Sequence, residues 1–456
     1  METRGKFTFP GGVHPPEGKQ YSQGRPIEVI PNPKQVVVLL SQHLGAPCKP
    51  VVNKKDTVRA GQLIGSSDAF VSAPIHSPVH GTVKDITLAP HPVLGRTMAV
   101  VIEVDPAQNE PKLPVAGRFD ASFDPSKWTS EQICRAIKDA GIVGMGGAGF
   151  PARVKIEPNP AMPKTILIVN GCECEPFLTC DYRVMLEWTW QVLAGIRLTA
   201  KAAGVDQIRI GIEDNKPEAI TAFNKAIESL GNEEDIQVVP LKTKYPQGGE
   251  RQLIRAVWNK IVPTNSIPPV IGACVVNVAT AAAIAEAVVC GNPLTHRVVS
   301  VTGRAICKPG NYYCPIGISV QELIDYCGGL TETAAKVVMG GPMMGFAIAD
   351  FSTPITKTNG GLTFLTRKEV TEAKFNQTQT ACIRCGRCLS VCPENLNPTR
   401  IAHAVKANKL EMAQEQYFMS ACIECGCCSY VCPANIELTG YIKTGKLLVA
   451  RAKKKA

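Results

Sequence analysis

Through the middle of the chain, short apolar runs alternate with amphipathic stretches. The segment TSEQICRAIKDAG at 129–141 has a Thr/Ser cap signal and places Ile133, Ala136 and Ile137 at helical spacing, which predicts an amphipathic helix. Strands alternating with such helices predict an α/β sheet whose strand ends bind ligands. Three runs are typical of strands: ILIV at 166–169, QIRIGIED at 207–214 and IQVVPL at 236–241.

The longest apolar run, VIGACVVNVATAAAIAEAVVC at 270–290, is long enough to cross a membrane. It carries Asn277 and Glu286, and its first part is β-branched whereas its second part is rich in alanine. We therefore expect a strand that turns into a buried helix, not a membrane span.

The composition is that of a large globular chain. Its 456 residues allow about three or four domains of roughly 100–200 residues each. The net charge of +10 is spread along the chain apart from the RAKKKA tail, so it does not single out nucleic acid as a partner. No signal peptide is visible at the N-terminus, so the nineteen cysteines do not indicate a secreted disulfide framework and a cytoplasmic protein is expected.

A cysteine-rich repeat lies near the C-terminus, as ACIRCGRCLSVCP at 381–393 and ACIECGCCSYVCP at 421–433. In C-x2-C-x2-C-x3-C-P, three thiolates hold one 4Fe–4S cluster and the fourth ligates the other cluster. A zinc ribbon fits less well, because zinc needs four ligands and gives the trailing Cys-Pro no role. Cys427 is surplus, and helical periodicity joins the two repeats. The predicted ligand sets are Cys382, Cys385, Cys388 and Cys432 for one centre, and Cys422, Cys425, Cys428 and Cys392 for the other.

The stretch GIVGMGGAGFPARVK, 141–155, has the glycine spacing of a dinucleotide fingerprint. A helix precedes it instead of a strand, which excludes an ordinary Rossmann finger. Two interpretations remain: a phosphate-binding loop, followed by the positive charges of Arg153 and Lys155, or a flexible turn. Farther on, Glu173 and Glu175 would share one face of an extended segment, unless this segment is a solvated loop.

Four motifs, GMGGAGFPARVK, VNGCECEP, YPQGGE and VVNVAT, resemble in order and spacing the flavin- and NADH-binding subunit of respiratory complex I. With FPGGVHPPEGK near the start and the twin cysteine repeat, nearly the whole chain resembles the C subunit of the Rnf electron-transport complex. The resemblance implies that the glycine loop holds the phosphate of FMN, with NADH stacking beside the flavin.

The same resemblance implies the cofactor-binding residues. Two departures from the complex I pattern stand out: Cys172 replaces an Asp, and Gly249 replaces one of two successive Glu residues. No catalytic acid or base is implied, because hydride transfer is borne by the cofactor. The implied contacts are Gly144, Gly146, Gly147, Gly149 and Lys155 for the phosphate, Phe150 for NADH, and Asn170, Glu173, Glu175, Tyr245, Glu250, Asn277 and Thr280 around the flavin and nicotinamide.

Two flanking modules complete the expected architecture. Residues 51–86 resemble a lipoyl- or biotinyl-type β-sandwich, but the hairpin SSDAFVSAP has no lysine to acylate, so a docking module without a covalent cofactor is expected. His76 and His80 flank this hairpin. They could bind a metal ion as a pair, but the favoured interpretation is that both lie in a solvated turn. Residues 296–329 alternate strand, turn, strand and helix, and resemble the β-grasp insert of the complex I subunit.

The predicted fold is therefore a multidomain α/β chain with a lipoyl-like sandwich, a Rossmann-like flavin/NADH domain, a β-grasp insert and a helical two-cluster ferredoxin domain. The expected boundaries are 1–27 for an N-terminal arm, 28–105 for the sandwich, 106–126 for a linker, 127–295 for the flavin domain, 296–350 for the insert, 351–375 for a connector and 376–456 for the ferredoxin domain.

The function expected from this resemblance is NAD-linked electron transfer. NADH gives two electrons at once whereas iron–sulfur centres move one, and FMN reconciles the two. The partners implied are the iron–sulfur and membrane subunits of an Rnf-type complex and, through them, ferredoxin, with the chain peripheral on the cytoplasmic face of the membrane and coupled to ion transport. A soluble flavin/iron–sulfur corrin reductase and a non-enzymatic electron relay are the alternatives.

Overall fold

The computed structural model describes residues 3–107, 117–231, 234–331, 334–372 and 378–453. Over these residues the chain is mixed α/β, with four β-sheets followed by a helical C-terminal module.

The N-terminal module consists of two antiparallel sheets. The first has the order β2-β8-β7-β4 and the second the order β3-β5-β6, and alternate residues such as Val36, Val38 and Ile64 face a common core. The strands of these two sheets are β2 Gln35–Leu39, β3 Lys49–Pro50, β4 Thr57–Val58, β5 Leu63–Ser66, β6 Ile75–His76, β7 Gly81–His91 and β8 Gly95–Val104; the preceding strand, β1 Ile27–Val29, pairs elsewhere.

The two histidines near the hairpin differ in environment. His76 lies buried in β6, whereas His80 is exposed. Burial lowers the pKa of His76 to about 3, so its ring is neutral at physiological pH. The expectation of a solvated turn is therefore wrong for His76, because packing of the second sheet against the first encloses it.

The central domain has a four-stranded parallel sheet with the order β11-β10-β9-β12. Because β10 and β12 lie on opposite sides of β9, the chain reverses direction between β9 and β12, and such a switch point is where open parallel sheets bind ligands. The strands are β9 Ile166–Gly171, β10 Gln207–Glu213, β11 Ile236–Leu241 and β12 Ala273–Asn277, and the helices are α1 Ser130–Asp139, α2 Ala152–Ile156, α3 Cys180–Glu187, α4 Thr189–Ala203, α5 Pro217–Glu228, α6 Glu250–Trp258 and α7 Val278–Ala285.

The prediction that residues 270–290 form a strand followed by a helix is confirmed. This segment forms β12 and α7 and ends in a π-helical turn, Glu286–Cys290. Its residues pack against α4, which is also largely buried. In the described part of the chain, no helix combines the length and the apolar character needed to cross a bilayer.

The third module is a six-stranded mixed sheet with the order β1-β14-β13-β17-β15-β16. Strand β1 straddles the expected boundary between the arm 1–27 and the sandwich 28–105 but pairs in this sheet. Strand β17 lies within the expected connector 351–375. Local sequence pattern does not encode such long-range pairing. The elements are β13 His296–Thr302, β14 Gly310–Pro315, α8 Val320–Tyr326, β15 Lys336–Met339, β16 Phe346–Ile348 and β17 Gly361–Leu365.

The C-terminal module is helical, as predicted, and the two cysteine loops are joined by a pair of helices. The helices are α9 Arg367–Glu372, α10 Arg387–Ser390, α11 Pro398–Lys406, α12 Leu410–Glu415, α13 Cys427–Tyr430 and α14 Leu438–Lys453. Short 3-10 turns occur at Lys19–Tyr21, Pro125–Lys127, Pro268–Ile271 and Met419–Ala421.

The N-terminal arm is a strap across the other modules. The amide of Gly12 donates to the carbonyl of Val391 at 2.8 Å, beside the cysteine repeats. Val13 pairs with Tyr245 of the central domain. The buried Lys19 amine donates to the carbonyls of Glu173, Glu175 and Leu178 at 2.7–3.1 Å. This strap therefore fixes the loop after β9 relative to the C-terminal module.

Candidate functional site

The glycine-rich loop connects α1 to α2 beside the carboxyl ends of β9 and β12. Helix α1 begins with the predicted cap: Thr129 and Gln132 form a capping box. The loop then folds back on itself, because the Gly144 amide donates to the Phe150 carbonyl at 2.8 Å. The Met145 amide donates to the Thr280 hydroxyl at 2.9 Å, which attaches the loop to the start of α7.

Glycine is required in this loop for close approach and for unusual backbone angles. Gly149 has φ +67°, and a Cβ there would lie 2.5 Å from the methyl carbon of Thr358. A Cβ on Gly146 would lie 3.3 Å from Cβ of Asn277. Gly147, in contrast, faces open space. The backbone is thus accessible from one side and closely packed on the other, which suits a phosphate that approaches backbone amides.

Two buried cations hold the loop from behind. Arg297 donates to the Met145 carbonyl at 3.1 Å, and Lys357 donates to the carbonyls of Gly141 and Pro74, both at 2.7 Å. Burial lowers the pKa of Lys357 to about 7. Neither residue was predicted from the sequence, because each lies far along the chain from the loop carbonyl it bonds and belongs to no motif.

At the front of the loop, the structure brings Lys155 and Glu250 together. Their charged groups are 2.6 Å apart, and both side chains are partly exposed. Nearby, the Asn170 side-chain amide donates to the Gly248 carbonyl at 2.8 Å. Phe150 is half-buried at the end of the loop. Residues from three separate motifs therefore border one partly exposed opening, and Lys155 supplies the positive charge that a phosphate requires.

Asn277 and Thr280 begin α7 and link it to α3. The side-chain oxygen of Asn277 accepts from the backbone amides of Ala279 and Thr280, while its side-chain amide donates to the Asp181 carboxylate at 2.6 Å. Glu173 accepts from the amides of Asp181 and Tyr182 at the start of α3. Burial, with the Glu173 charge second, raises the pKa of Asp181 to about 7. Asp181 had no signal in the sequence.

The expectation that Glu173 and Glu175 share one face is wrong. The segment is not extended, because Glu173 has φ +50°. Glu173 caps α3, whereas Glu175 accepts from the amides of Met343 and Met344 at 3.1 and 2.8 Å. Enclosure of the Glu175 carboxyl group raises its pKa to about 7. The two carboxylates therefore serve different contacts.

The two departures from the complex I pattern have local explanations. The Cys172 thiol is fully buried in the core and lies 3.8 Å from the Gly211 carbonyl, so this thiol points away from the opening. At Gly249, the first residue before α6, a Cβ would clash with the side-chain oxygen of Gln252. That amide occupies the room that a larger residue at position 249 would need.

Tyr245 lies between the central domain and the second cysteine loop. It is 1% exposed, and its hydroxyl donates to the Cys425 carbonyl at 2.8 Å. The Cys427 sulfur lies 4.0 Å from the Tyr245 carbonyl. Tyr245 therefore forms one contact between the flavin domain and the C-terminal module, beside the bonds of Arg251 and Gln252 to Glu394.

The predicted ligands of each iron–sulfur centre lie together. Cys392, Cys422, Cys425 and Cys428 border one small cavity, which Cys427 also borders. Cys382, Cys388 and Cys432 pack in a second cluster, which Cys428 of the other set also joins, and Cys385 is exposed in the same loop as Cys382. The fourth cysteine of each repeat thus lies among cysteines of the other repeat.

Hydrogen bonds to the cysteine sulfurs support these cysteines as cluster ligands. The amides of Arg384, Leu396 and Glu424 donate to Cys382, Cys392 and Cys422 at 3.3–3.4 Å. The hydroxyls of Thr399 and Thr439 lie 3.0 and 3.4 Å from Cys388 and Cys428. Thiolates that hold a cluster are stabilised by such bonds. The residues therefore fit two 4Fe–4S clusters.

Four family models match the chain in the order of these modules. They are the RnfC barrel sandwich hybrid domain at residues 7–107, the Nuo51 FMN-binding domain at 137–286, the SLBB domain at 298–347 and the 4Fe-4S dicluster domain at 374–433. Together with the geometry above, these matches define a flavin and iron–sulfur electron-transfer protein.

Full-length relatives narrow this class to one family. The chain is 44% identical over 410 residues to the C subunit of the proton-translocating ferredoxin:NAD(+) oxidoreductase complex of Clostridium ljungdahlii, covering 90% of this chain and 87% of that protein. It is 39% identical over 413 residues to the C subunit of the Na(+)-translocating complex of Acetobacterium woodii, with 90% of each chain covered. The chain belongs to the RnfC family, the C subunits of ion-translocating oxidoreductase complexes.

A solved structure shares the fold at lower similarity. It is the crystal structure of an NAD+-reducing NiFe-hydrogenase in the H2-reduced state, with a TM-score of 0.50 and 19% sequence identity. The match covers 72% of this chain and 61% of that chain.

Proposed function

We propose that this chain is the NAD-linked subunit of an ion-translocating ferredoxin:NAD(+) oxidoreductase. In this role it exchanges hydride between NADH and FMN and passes single electrons through two 4Fe–4S clusters. The observation that carries the proposal is that the candidate flavin site and the cysteine loops are in contact within one chain. The glycine loop and Lys155 lie at the switch point of the parallel sheet, and Tyr245 connects that domain to the second cysteine loop.

In this proposal the residues of the chain bind and orient. The glycine loop 144–149 and Lys155 hold the FMN phosphate, through the loop amides that follow Met145, because the Gly144 and Met145 amides bond Phe150 and Thr280. Asn277 and Thr280 fix that loop to the start of α7. When bound, FMN converts two-electron hydride exchange into one-electron steps. The remaining positions proposed around the flavin and NADH are Phe150, Asn170, Glu173, Glu175, Tyr245 and Glu250.

The burial of the two cysteine sets supports an order for the two centres. Cys425 and Cys428 of the second set are buried, and the loop that carries them contacts Tyr245. In the first loop, Cys385 is exposed and Ile383 is 67% exposed. The centre held by Cys422, Cys425, Cys428 and Cys392 is therefore on the flavin side. The centre held by Cys382, Cys385, Cys388 and Cys432 faces solvent, where an electron partner can dock.

The wider setting follows from the relatives. In the proposal the partners are the iron–sulfur and membrane subunits of the complex and, through them, ferredoxin, with the chain peripheral on the cytoplasmic face of the membrane. The N-terminal module is proposed as lipoyl-like, because two antiparallel sheets enclose one core. The third module is proposed as a β-grasp domain, because a mixed sheet packs against α8.

An anaerobic titration with NADH tests the proposal. The purified, iron-reconstituted chain with bound FMN is followed by absorbance, and we expect the flavin band and the broad iron–sulfur band to bleach together. If both cofactors are present and ignore NADH but respond to dithionite, the chain is a relay and the proposal fails. A second measurement excludes a soluble corrin reductase: the native chain should be recovered with membranes and released when the complex is disrupted.

A further inference from the structure

A cavity of about 600 Å³ lies where the N-terminal module, the central domain and the third sheet meet. Its walls come from α3, α4 and α7, from the loop 291–295 and the start of β13, and from Ala60 and Gly61. Over the described residues, none of the positions predicted to contact FMN or NADH lines it. Its volume is within the range of small-molecule sites, which are common at domain junctions.

Three buried polar atoms of this cavity have no hydrogen-bond partner: Nε of Arg297, Oε1 of Glu286 and Nε2 of His296. The Arg297 side chain is fixed by bonds from its other nitrogens to the carbonyls of Lys357 and Met145, and it is 4% exposed. Glu286 is fixed through its second oxygen, which accepts from Asn292 at 2.9 Å. An unpaired buried polar group destabilises the fold, so a partner is expected in the cavity.

The cavity also has one aromatic wall and one wall of small residues. His296 and Tyr313 are stacked, with ring centroids 5.1 Å apart, and Trp188 meets Tyr313 edge-on at 5.9 Å. Burial lowers the pKa of His296 to about 4, so its ring is neutral at physiological pH. Ala279, Ala282 and Ala283 of α7 are the small residues. A flat ring fits such a slot better than a branched chain does.

We propose that this cavity binds a planar, amino-substituted heteroaromatic ligand of the nucleobase class that carries an anionic group. The Glu286 oxygen accepts from the exocyclic amine, and Nε of Arg297 donates to a ring nitrogen. The exposed Arg118, which also lines the cavity near Ala60, receives the anionic group. The cavity adjoins the candidate flavin site, because Met145, Asp181 and Arg297 line it, but none of the predicted FMN and NADH contacts does. AMP binding is therefore measured apart from the proposed reaction.

Equilibrium dialysis of radiolabelled AMP against the flavin- and cluster-loaded chain tests the proposal. We expect one AMP per chain, retained when NADH is saturating. Inosine monophosphate, which replaces the amine by a carbonyl, should bind about tenfold more weakly, as should AMP to Glu286→Gln, because one hydrogen bond to a charged group is lost. Ala283→Trp fills the slot and should abolish binding, whereas Glu228→Gln on the exposed end of α5 should leave binding unchanged.

Flavin and iron contents are measured for every variant, so loss of folding at Ala283→Trp is distinguished from loss of the site. Absence of AMP binding at millimolar concentration would overturn the proposal. Complete displacement of AMP by NADH would also overturn it. So would equal affinity of the native chain for AMP and inosine monophosphate, or equal affinity of the native chain and Glu286→Gln for AMP. None of these results bears on whether NADH reduces the flavin.

Discussion

At the scale of single residues, the candidate flavin site depends on pairs drawn from distant parts of the chain. Lys155 meets Glu250, and Asn277 meets Asp181. The resemblance to the complex I subunit identified Lys155, Glu250 and Asn277, because each lies in one of the motifs that carry it. They did not identify Asp181, since its role arises only from burial beside Asn277.

Replacing Lys155 by alanine should weaken FMN binding about ten- to a hundredfold, because one charged hydrogen bond contributes roughly 1.5–3 kcal/mol. The dissociation constant is measured by recovery of flavin fluorescence on dilution. Lys225→Ala, at an exposed position of α5, is the matched control and should bind FMN normally. Equal flavin affinity in both variants would remove Lys155 from the phosphate site.

Glu175 should make stability depend on pH. Its pKa is raised from 4.5 to about 7 in the folded chain, so the folded state holds the proton more tightly than the unfolded state does. Its contribution is therefore full below pH 4.5 and is lost as the pH rises to 7, a change of about 3 kcal/mol. Thermal unfolding of Glu175→Gln across this range should show a shallower decline than the native chain, and Glu228→Gln should match the native slope. An unchanged slope in Glu175→Gln would contradict this account.

At the scale of elements, the two cysteine loops have the same backbone. Positive φ occurs at Arg384 and Gly386 in the first loop and at Glu424 and Gly426 in the second. The repeat was visible in the sequence, and so were the two helices between the loops. The pairing of β1 with β14 and the position of β17 were not, because strand partners are chosen by the packing of whole modules.

The exchange of the fourth cysteine between repeats can be tested by substitution. Cys392→Ser and Cys432→Ser should each lower the iron content from about eight to about four atoms per chain, each removing a different centre. Electron paramagnetic resonance of the reduced variants identifies which centre remains. Cys427→Ser should keep both centres, because Cys427 is surplus to the two quartets. If Cys392→Ser removes the same centre as Cys385→Ser, the assignment is wrong.

At the scale of the whole molecule, the modules are held in register by a few buried contacts. The strap, through Gly12 and Lys19, ties the loop after β9 to the C-terminal module. Tyr245 adds a direct hydrogen bond to the Cys425 carbonyl. A short, rigid contact at this point keeps the flavin domain close to the second centre.

Tyr245→Phe should therefore slow the reduction of the clusters by NADH several-fold, while bleaching of the flavin stays at its native rate. Removal of the hydroxyl leaves the buried Cys425 carbonyl unpaired, which costs about 1–3 kcal/mol and loosens the contact. Stopped-flow absorbance separates the two phases. Tyr182→Phe, which loses a hydroxyl bond to the exposed Glu218, is the control and should leave both phases unchanged. An unchanged cluster phase in Tyr245→Phe would show that its hydroxyl bond does not set the contact with the second cysteine loop.

The sequence by itself determined the order of the modules, the cysteine repeat, the glycine loop and the helix before that loop, because each of these rests on local spacing: period, cap, turn or ligand interval. Only the tertiary structure decided that Glu173 and Glu175 diverge, that Arg297 and Lys357 support the loop from behind, and that Tyr245 lies against Cys425. These contacts join residues far apart in the chain, and burial, not spacing, sets their charge and their partners.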